Sequence, residues 1–358
     1  MAKDTRLRAK DSITSSSDAE SKTVLVTGGC GFIGTNLVKY LSERRYKVRI
    51  LDNLSTMSRV WNAGSKLPAA NAPLTRATKP SQPSKQNTLT SDPVLSTVDL
   101  MVGDIRDPEV VEKAVDRVDA VVHLAAHTSV MESVENPKEA WDINVNGALN
   151  VLEACRRQGV GKFIFASSNA VVGEEPPPVD ESKICHPLSP YGASKLAGEA
   201  LCSAYYHSFG LNTIPLRFAN CYGRYSEHKT SVITQFMDWA SQGKPLIIYG
   251  DGNQTRDFVH ADDICQAIYL CLMATERIAG ETFQIASGVE TSINEFIEMI
   301  KETTGFKLSI IREPKRKGEI ERSYSDITKA RRMLGFEPRV KLSDGLHDLW
   351  QWYAKANK

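Results

Sequence analysis

The amino-acid sequence predicts an α/β protein, a doubly wound parallel sheet with a smaller α/β unit interleaved with it. Three observations predict this. From Thr23 to Leu216 short β-branched runs alternate with amphipathic stretches, the rhythm of strand and crossover helix. The first strand is joined to its helix by a glycine-rich turn, Gly28-Gly29-Cys30-Gly31-Phe32-Ile33-Gly34. After Arg217 the alternation becomes irregular, as expected where a chain leaves its main sheet for a second unit and returns to it.

Each element has its own justification. Residues 1–21 are rich in Lys, Asp and Ser without apolar periodicity and read as a flexible tail. Val24–Thr27 is the first strand, Phe32–Arg44 the first helix and Val48–Leu51 the second strand. Thr56–Thr97, with five prolines among Ser, Thr, Asn and Gln, is far longer than an ordinary connection and reads as a structureless insertion. The rhythm resumes with strand Val98–Val102. Asp107-Pro108 then caps and opens a helix that runs to Val115. Strand Ala120–Leu124, helix Pro137–Arg157, strand Phe163–Ala166, helix Pro190–Phe209 and strand Asn212–Leu216 complete the alternation. Beyond it come helix Val232–Ser241, strand Leu246–Tyr249, helix Ala261–Met273 and strand Thr282–Ile285. A helix opened by the capping box Ser292-x-x-Glu295 runs to Lys301.

Composition removes several function classes. The 358 residues are 41% hydrophobic and 24% charged, enough for a large core. The 44 basic and 43 acidic side chains leave a net charge of +1, so there is no electrostatic case for nucleic-acid or membrane-surface binding. Seven cysteines, an odd number without a Cys-x-x-Cys pair, suggest neither a disulfide framework nor a metal site; the two histidines flanking Leu124–Ala126 lack a third ligand at suitable spacing. A reducing, cytoplasmic location is the expectation. No apolar run approaches the roughly 18 residues that span a bilayer, and the N-terminus has no leader-like hydrophobic stretch.

Two local patterns carry chemistry. In the glycine turn, Gly28, Gly31 and Gly34 allow the backbone to approach a pyrophosphate at a helix N-terminus. Asp52 closes the second strand, 24 residues after Gly28. A carboxylate there can bind both hydroxyls of an adenosine ribose and repel a 2′-phosphate, which favours NAD over NADP. Asp104, just after the third strand, is placed to meet the adenine or to form a simple turn. The second pattern is Tyr191-Gly-Ala-Ser-Lys195, whose end residues share one face of a helix. A phenol with an ordinary pKa of about 10 needs a neighbouring cation to act as a base near neutrality. Ser167 and Ser168, just past a buried strand, lie at the carboxyl edge of the sheet, where ligands of such folds bind.

Together with Asn144 in Asn-Val-Asn-Gly, Arg217-Phe-Ala-Asn220 and Gly250-Asp-Gly-Asn-Gln-Thr-Arg256-Asp-Phe, these residues resemble the extended short-chain dehydrogenase/reductase family, specifically its nucleotide-sugar epimerases and dehydratases. The resemblance runs from Thr23 to Tyr353. It implies a Rossmann sheet over 22–217 that binds NAD, a mainly substrate-binding domain over 218–358, and a return of 255–290 to the first sheet. The implied activity is C4 epimerisation of a UDP-sugar through a 4-keto intermediate, with Ser168, Tyr191 and Lys195 catalytic.

The same resemblance implies further contacts with NAD from Phe32, Ile33, Asn53, Ile105, Leu124, Ala125, Ala126, Asn144, Ser167 and Phe218. It places Thr128, Asn169, Asn220, Val232, Tyr249, Arg256, Arg316 and Glu319 against the nucleotide sugar. It also implies a homodimer joined through Pro137–Arg157 and Pro190–Phe209. Two departures bear on the sugar. Ala170 and Val172 stand where many relatives have hydroxyl side chains, which predicts a more apolar pocket, and Ser323 is small where a bulky residue excludes N-acetylated sugars. A UDP-N-acetylhexosamine or a UDP-uronic acid is therefore a candidate. Dehydration or decarboxylation on the same scaffold is the alternative, although Asn169 and Ala170 stand where those enzymes carry an acid. A non-catalytic NAD-binding regulatory protein is the alternative of another class.

Overall fold

The computed structural model describes residues 21–61, 90–315 and 320–356. The first half contains β1 (Thr23–Thr27), α1 (Phe32–Glu43), β2 (Lys47–Asp52), β3 (Asp99–Val102), α2 (Pro108–Val115), β4 (Ala120–His123), α3 (Val130–Glu135), α4 (Pro137–Trp141), α5 (Gly147–Gln158), β5 (Lys162–Ser168), α6 (Pro190–Phe209) and β6 (Thr213–Phe218). The second contains β7 (Asn220–Tyr222), α7 (Val232–Ser241), β8 (Leu246–Tyr249), β9 (Thr255–Arg256), β10 (Phe258–His260), α8 (Ala261–Met273), β11 (Phe283–Ile285), β12 (Thr291–Ser292), α9 (Ile293–Thr304), β13 (Ile310–Glu313), α10 (Thr328–Leu334) and α11 (Leu342–Ala356).

Seven strands form one sheet in the order β11-β6-β5-β4-β1-β2-β3, every neighbouring pair parallel. Both faces of a parallel sheet are covered by helices, and alternate residues of each strand feed opposite faces. On one face Val24, Val26, Ile50, Val122 and Ile164 pack with Leu37 and Leu41 of α1 and Ile264 and Ile268 of α8. On the other, Leu25, Leu51, Val121, Phe163 and Phe165 pack with Val111 of α2, Leu152 and Cys155 of α5 and Cys202 of α6. Fully burying each such side chain contributes about 1.5–3 kcal/mol.

A third core joins Phe236 and Met237 of α7, Phe296 and Ile300 of α9, and Leu346 and Leu349 of α11 around Tyr222. Three small ladders attend it: β7 with β10, β8 with β13, and β9 with β12. Because all seven strands of the large sheet run the same way, their carboxyl ends form one edge. The gap between β1 and β4, where strand order reverses, is the natural ligand crevice.

Two expectations require correction, and several elements were not foreseen. Pro137–Arg157 is not one helix: a single π turn, Asp142–Asn146, separates α4 from α5. Thr56–Thr97 is not structureless at its ends, since Trp61 and Leu95 are fully buried in short 3-10 turns; residues 62–89 lie outside the described region. Helix α3, the short strands β7, β9, β10 and β12, β13 and α10 carry too little periodic signal to be placed, and the amphipathic α11 was not predicted. All seven cysteines are free, and no described helix is long and apolar enough to cross a membrane.

Candidate active site

The glycine turn leaves β1 at Gly28, whose φ of +71° is left-handed and whose Cβ would lie 2.7 Å from the Ala125 nitrogen. At Gly34 a Cβ would collide with the Gly28 carbonyl, so only glycine lets α1 start this close to the strand. Around Gly31 the space is open apart from two backbone oxygens in ordinary contact. No side chain caps α1, and its first turn holds no acid. The free N–H groups there are a ready site for a pyrophosphate, and the open face of Gly31 lets it approach.

Asp52, at the end of β2, accepts from the Cys30 N–H at 2.9 Å and from the Leu54 N–H at 2.7 Å. Burial raises its pKa, and these two donors pull it back. Asn53 donates to Asp104 at 3.1 Å, and Arg106 grips the same carboxylate at 2.8 Å, holding it below the usual range against burial. Ile105 is buried beneath Gly147. These residues converge at the ends of β2 and β3, next to the glycine turn, and fit the adenosine half of NAD.

The segment after β4, Leu124–Thr128, is fixed by the π turn. That wide turn presents Asn144, whose Oδ1 accepts from the His127 N–H at 2.7 Å while its Nδ2 donates to the His127 carbonyl at 3.0 Å and to Ser194 at 2.9 Å. One buried amide thereby ties the loop to α6. His123, at the end of β4, is not a metal ligand: its Nδ1 bonds Thr27 at 2.9 Å, its ring stacks on Phe163 and Phe165, and burial lowers its pKa to about 3.

Ser189 caps α6 by accepting from the Gly192 N–H at 3.1 Å, and Pro190 opens the helix. A Cβ on Gly192 would lie 2.5 Å from the Ala170 carbonyl, so the helix start rests directly on the turn that follows Ser168. This contact sets the Tyr191 phenol beside Ser168, near enough for the serine to pull on its pKa. Lys195, one helical turn on, donates to the Ala166 carbonyl at 2.9 Å and lies 6.0 Å from the Tyr191 ring. Burial raises the Tyr191 pKa to about 12 against the pull of Ser168. Burial also lowers Lys195 to about 7, with help from the charge of Lys229.

Adjacent strand residues face opposite ways, so Ser167 does not join this group. It donates at 2.5 Å to Glu199, which is paired with Arg217 at 2.8 Å in the interior. Phe218 is buried at the end of β6.

On the other wall, Asn220 is exposed at the start of β7 and donates to the Asp257 carbonyl at 3.2 Å. Val232 opens α7, and Tyr249 ends β8. Arg256 donates to the Thr255 and Ile320 carbonyls at 2.7 and 2.8 Å. Asn169 donates to Ser325 at 2.7 Å. Arg316 and Glu319 lie outside the described residues. Val172 does not make the sugar pocket apolar, because it packs at 1% exposure with Val171 and Val179.

Two residues escaped the sequence reading. Asp257, fully buried, accepts from the backbone of Ser287, Gly288 and Ser325 at 2.8, 3.0 and 3.2 Å and so knits three loops at the cleft floor. Its place in Arg256-Asp-Phe was the available signal. Lys229 reaches across the cleft to Thr128 at 2.7 Å, and nothing local announced it.

A parallel sheet with a glycine turn at its crevice, an acidic second-strand end and a Ser–Tyr–Lys group on the carboxyl edge defines an NAD-binding short-chain dehydrogenase/reductase. Residues 24–286 match the NAD dependent epimerase/dehydratase family, and the chain belongs to it. NAD is its cofactor, and it is an enzyme of that family.

The chain is 38% identical over 340 residues to a putative UDP-glucose 4-epimerase of Methanocaldococcus jannaschii, covering 94% of this chain and 99% of that one. Among solved structures, Thermus thermophilus UDP-glucose 4-epimerase in complex with NAD superposes with a TM-score of 0.78 at 32% identity, covering 93% and 99% of the two chains. UDP-N-acetylglucosamine 4-epimerase from Methanobrevibacter ruminantium, in complex with UDP-N-acetylmuramic acid, does so with a TM-score of 0.81 at 29% identity, covering 94% and 99%. Relatives also carry the names UDP-glucuronate 4-epimerase, at 34% identity, and dTDP-glucose 4,6-dehydratase, at 32%.

Proposed function

We propose that the protein is a UDP-sugar 4-epimerase. The observation that carries this reading is the meeting of Tyr191 with Ser168, where the start of α6 rests on the turn after the serine, with Lys195 one turn away and anchored at the same edge as the glycine turn. When bound, NAD would supply the hydride acceptor and donor for the sugar C4. Tyr191 removes the proton from the sugar 4-hydroxyl. Its phenol, held at about 12 in the protein alone with Lys195 already one turn away, needs added positive charge to do so, which the oxidised nicotinamide would supply when bound. Ser168 donates to the oxygen that becomes the 4-ketone. Lys195, anchored on the Ala166 carbonyl, also orients the cofactor ribose. The 4-keto sugar turns over in the pocket and is reduced on its other face, with Tyr191 giving the proton back.

Dehydration and decarboxylation both need a further acid or base beside C5 or C6. Asn169 and Ala170 provide none, and Asn169 is engaged with Ser325. Glu132 is exposed and lies 3.3 Å from His127, and Glu174 is exposed. The small Ser323 and the names among the relatives keep N-acetylhexosamines and uronic acids within the substrate class. In this reading, residues from 218 onward hold the uridine diphosphate, with Asn220, Tyr249 and Arg256 contributing.

Purified protein incubated with UDP-glucose, UDP-N-acetylglucosamine and UDP-glucuronate, without added cofactor, is expected to yield the C4 epimer of at least one of them on chromatography. Products that have lost water or carbon dioxide would replace epimerisation with the alternative chemistry. The absence of any product would favour a non-catalytic role.

A further inference from the structure

A second cation stands in the cleft that neither the hydride-transfer residues nor the diphosphate-binding positions include. Lys229 lies between β7 and α7, its backbone N–H bonded to the Ser226 carbonyl at 2.8 Å. Its Nζ donates to the Thr128 Oγ1 at 2.7 Å, on the segment that follows β4, so the contact joins the two walls of the cleft. Among the described residues no carboxylate forms an ion pair with it. Glu132, near enough for its charge to be felt, is placed against His127 instead. The neighbouring His228 is held neutral by burial, with a pKa of about 4, and adds no second positive charge beside it.

Lys195 and Lys229 thus share one cleft: burial lowers both, the charge of Lys229 lowers Lys195 further, and neither forms an ion pair with an acid among the described residues. An anion placed against Lys229 relieves both. Thr128 supplies the other half of such a site. A hydroxyl that accepts from an ammonium still has its own proton to donate, so an O–H and an N–H converge on one acceptor.

We propose that Lys229 and Thr128 form an oxyanion seat for the nucleotide sugar, filled either by a carboxylate on the sugar or by an oxygen of the diphosphate. The seat rests on the cleft being a nucleotide-sugar site, as read above.

Calorimetric titration of the NAD-loaded protein with UDP-glucuronate, UDP-glucose and UDP tests it, in the wild type, Lys229→Met and Lys229→Arg. Lys229→Met is expected to weaken binding at least about tenfold, and Lys229→Arg, which keeps the charge, to recover most of the loss. A loss confined to UDP-glucuronate assigns the seat to a uronic acid carboxylate. An equal loss for all three ligands assigns it to the diphosphate. Unchanged affinity in Lys229→Met overturns the seat and leaves the nucleotide-sugar reading standing. So does a loss shared by the two sugars but absent for UDP, or one that Lys229→Arg fails to recover. Wild-type protein that binds none of the three overturns both.

Discussion

Tyr191 sits where three local choices converge: a serine cap, a proline at the first helical position, and a glycine that lets α6 rest on the turn after Ser168. Replacing Tyr191 with Phe removes only the hydroxyl that takes the proton. Turnover is expected to fall by at least about 100-fold, the lower end of what a positioned acid–base group supplies, while NAD stays bound. Activity assay and cofactor content of the purified variant measure the two separately, and full activity would end the proposed role. Residues of this kind are legible because their partners lie within a few positions: Gly28 with Gly34, Tyr191 with Lys195. Lys229 and Thr128 are 101 residues apart, and only the fold joins them. Likewise, the adjacent serines differ only in the face of β5 they occupy. Strand parity assigns Ser168 to Tyr191 and Ser167 to Glu199 once the register is known.

Among the elements, those with a full amphipathic repeat were legible with boundaries within a residue or two, α1, α2 and α7 among them, and α6 was legible from its Ser189-Pro190 start. The π turn was not, because one extra residue per turn shifts the hydrophobic phase without breaking it. It nonetheless sets the site, since the wider turn is what carries Asn144 to both sides of His127. The two-residue β9 and β12 have no period to read and exist because Arg256 and Thr291 are brought side by side. Helices α3, α4 and α6 contact one another and leave Met131, Val134, Trp141 and Phe209 exposed. Such a face suits a second copy of the chain. A dimer is expected by light scattering, and Trp141→Glu with Met131→Glu is expected to shift it toward monomer.

For the whole molecule, acid sensitivity follows from His123. Its native pKa of about 3 lies well below the ordinary histidine value of about 6.5, so the unfolded chain binds a proton that the folded chain refuses. The stability this represents is fully present above pH 6.5 and is lost as pH falls toward about 3, at up to about 1.4 kcal/mol per pH unit. His228, held near 4, adds to the loss over a narrower range. Urea midpoints at pH 7.5 and 5.5 are expected to differ accordingly, and His123→Gln to reduce the difference. An equal drop in that variant would place the sensitivity elsewhere.

Both roots of the insertion are stitched to one helix. Trp61 donates to Thr35 at 2.9 Å, and Asp92 pairs with Lys39 at 2.7 Å, contacts one turn apart on α1. The chain therefore departs and re-enters at nearly the same place, so a change in the number of residues between those stitches need not displace β2 or β3. Closure entropy grows only slowly with such a change, about 0.6 kcal/mol for each doubling. The molecule thus carries a natural splice point, at which a lineage can acquire or discard a segment while its catalytic edge stays in register.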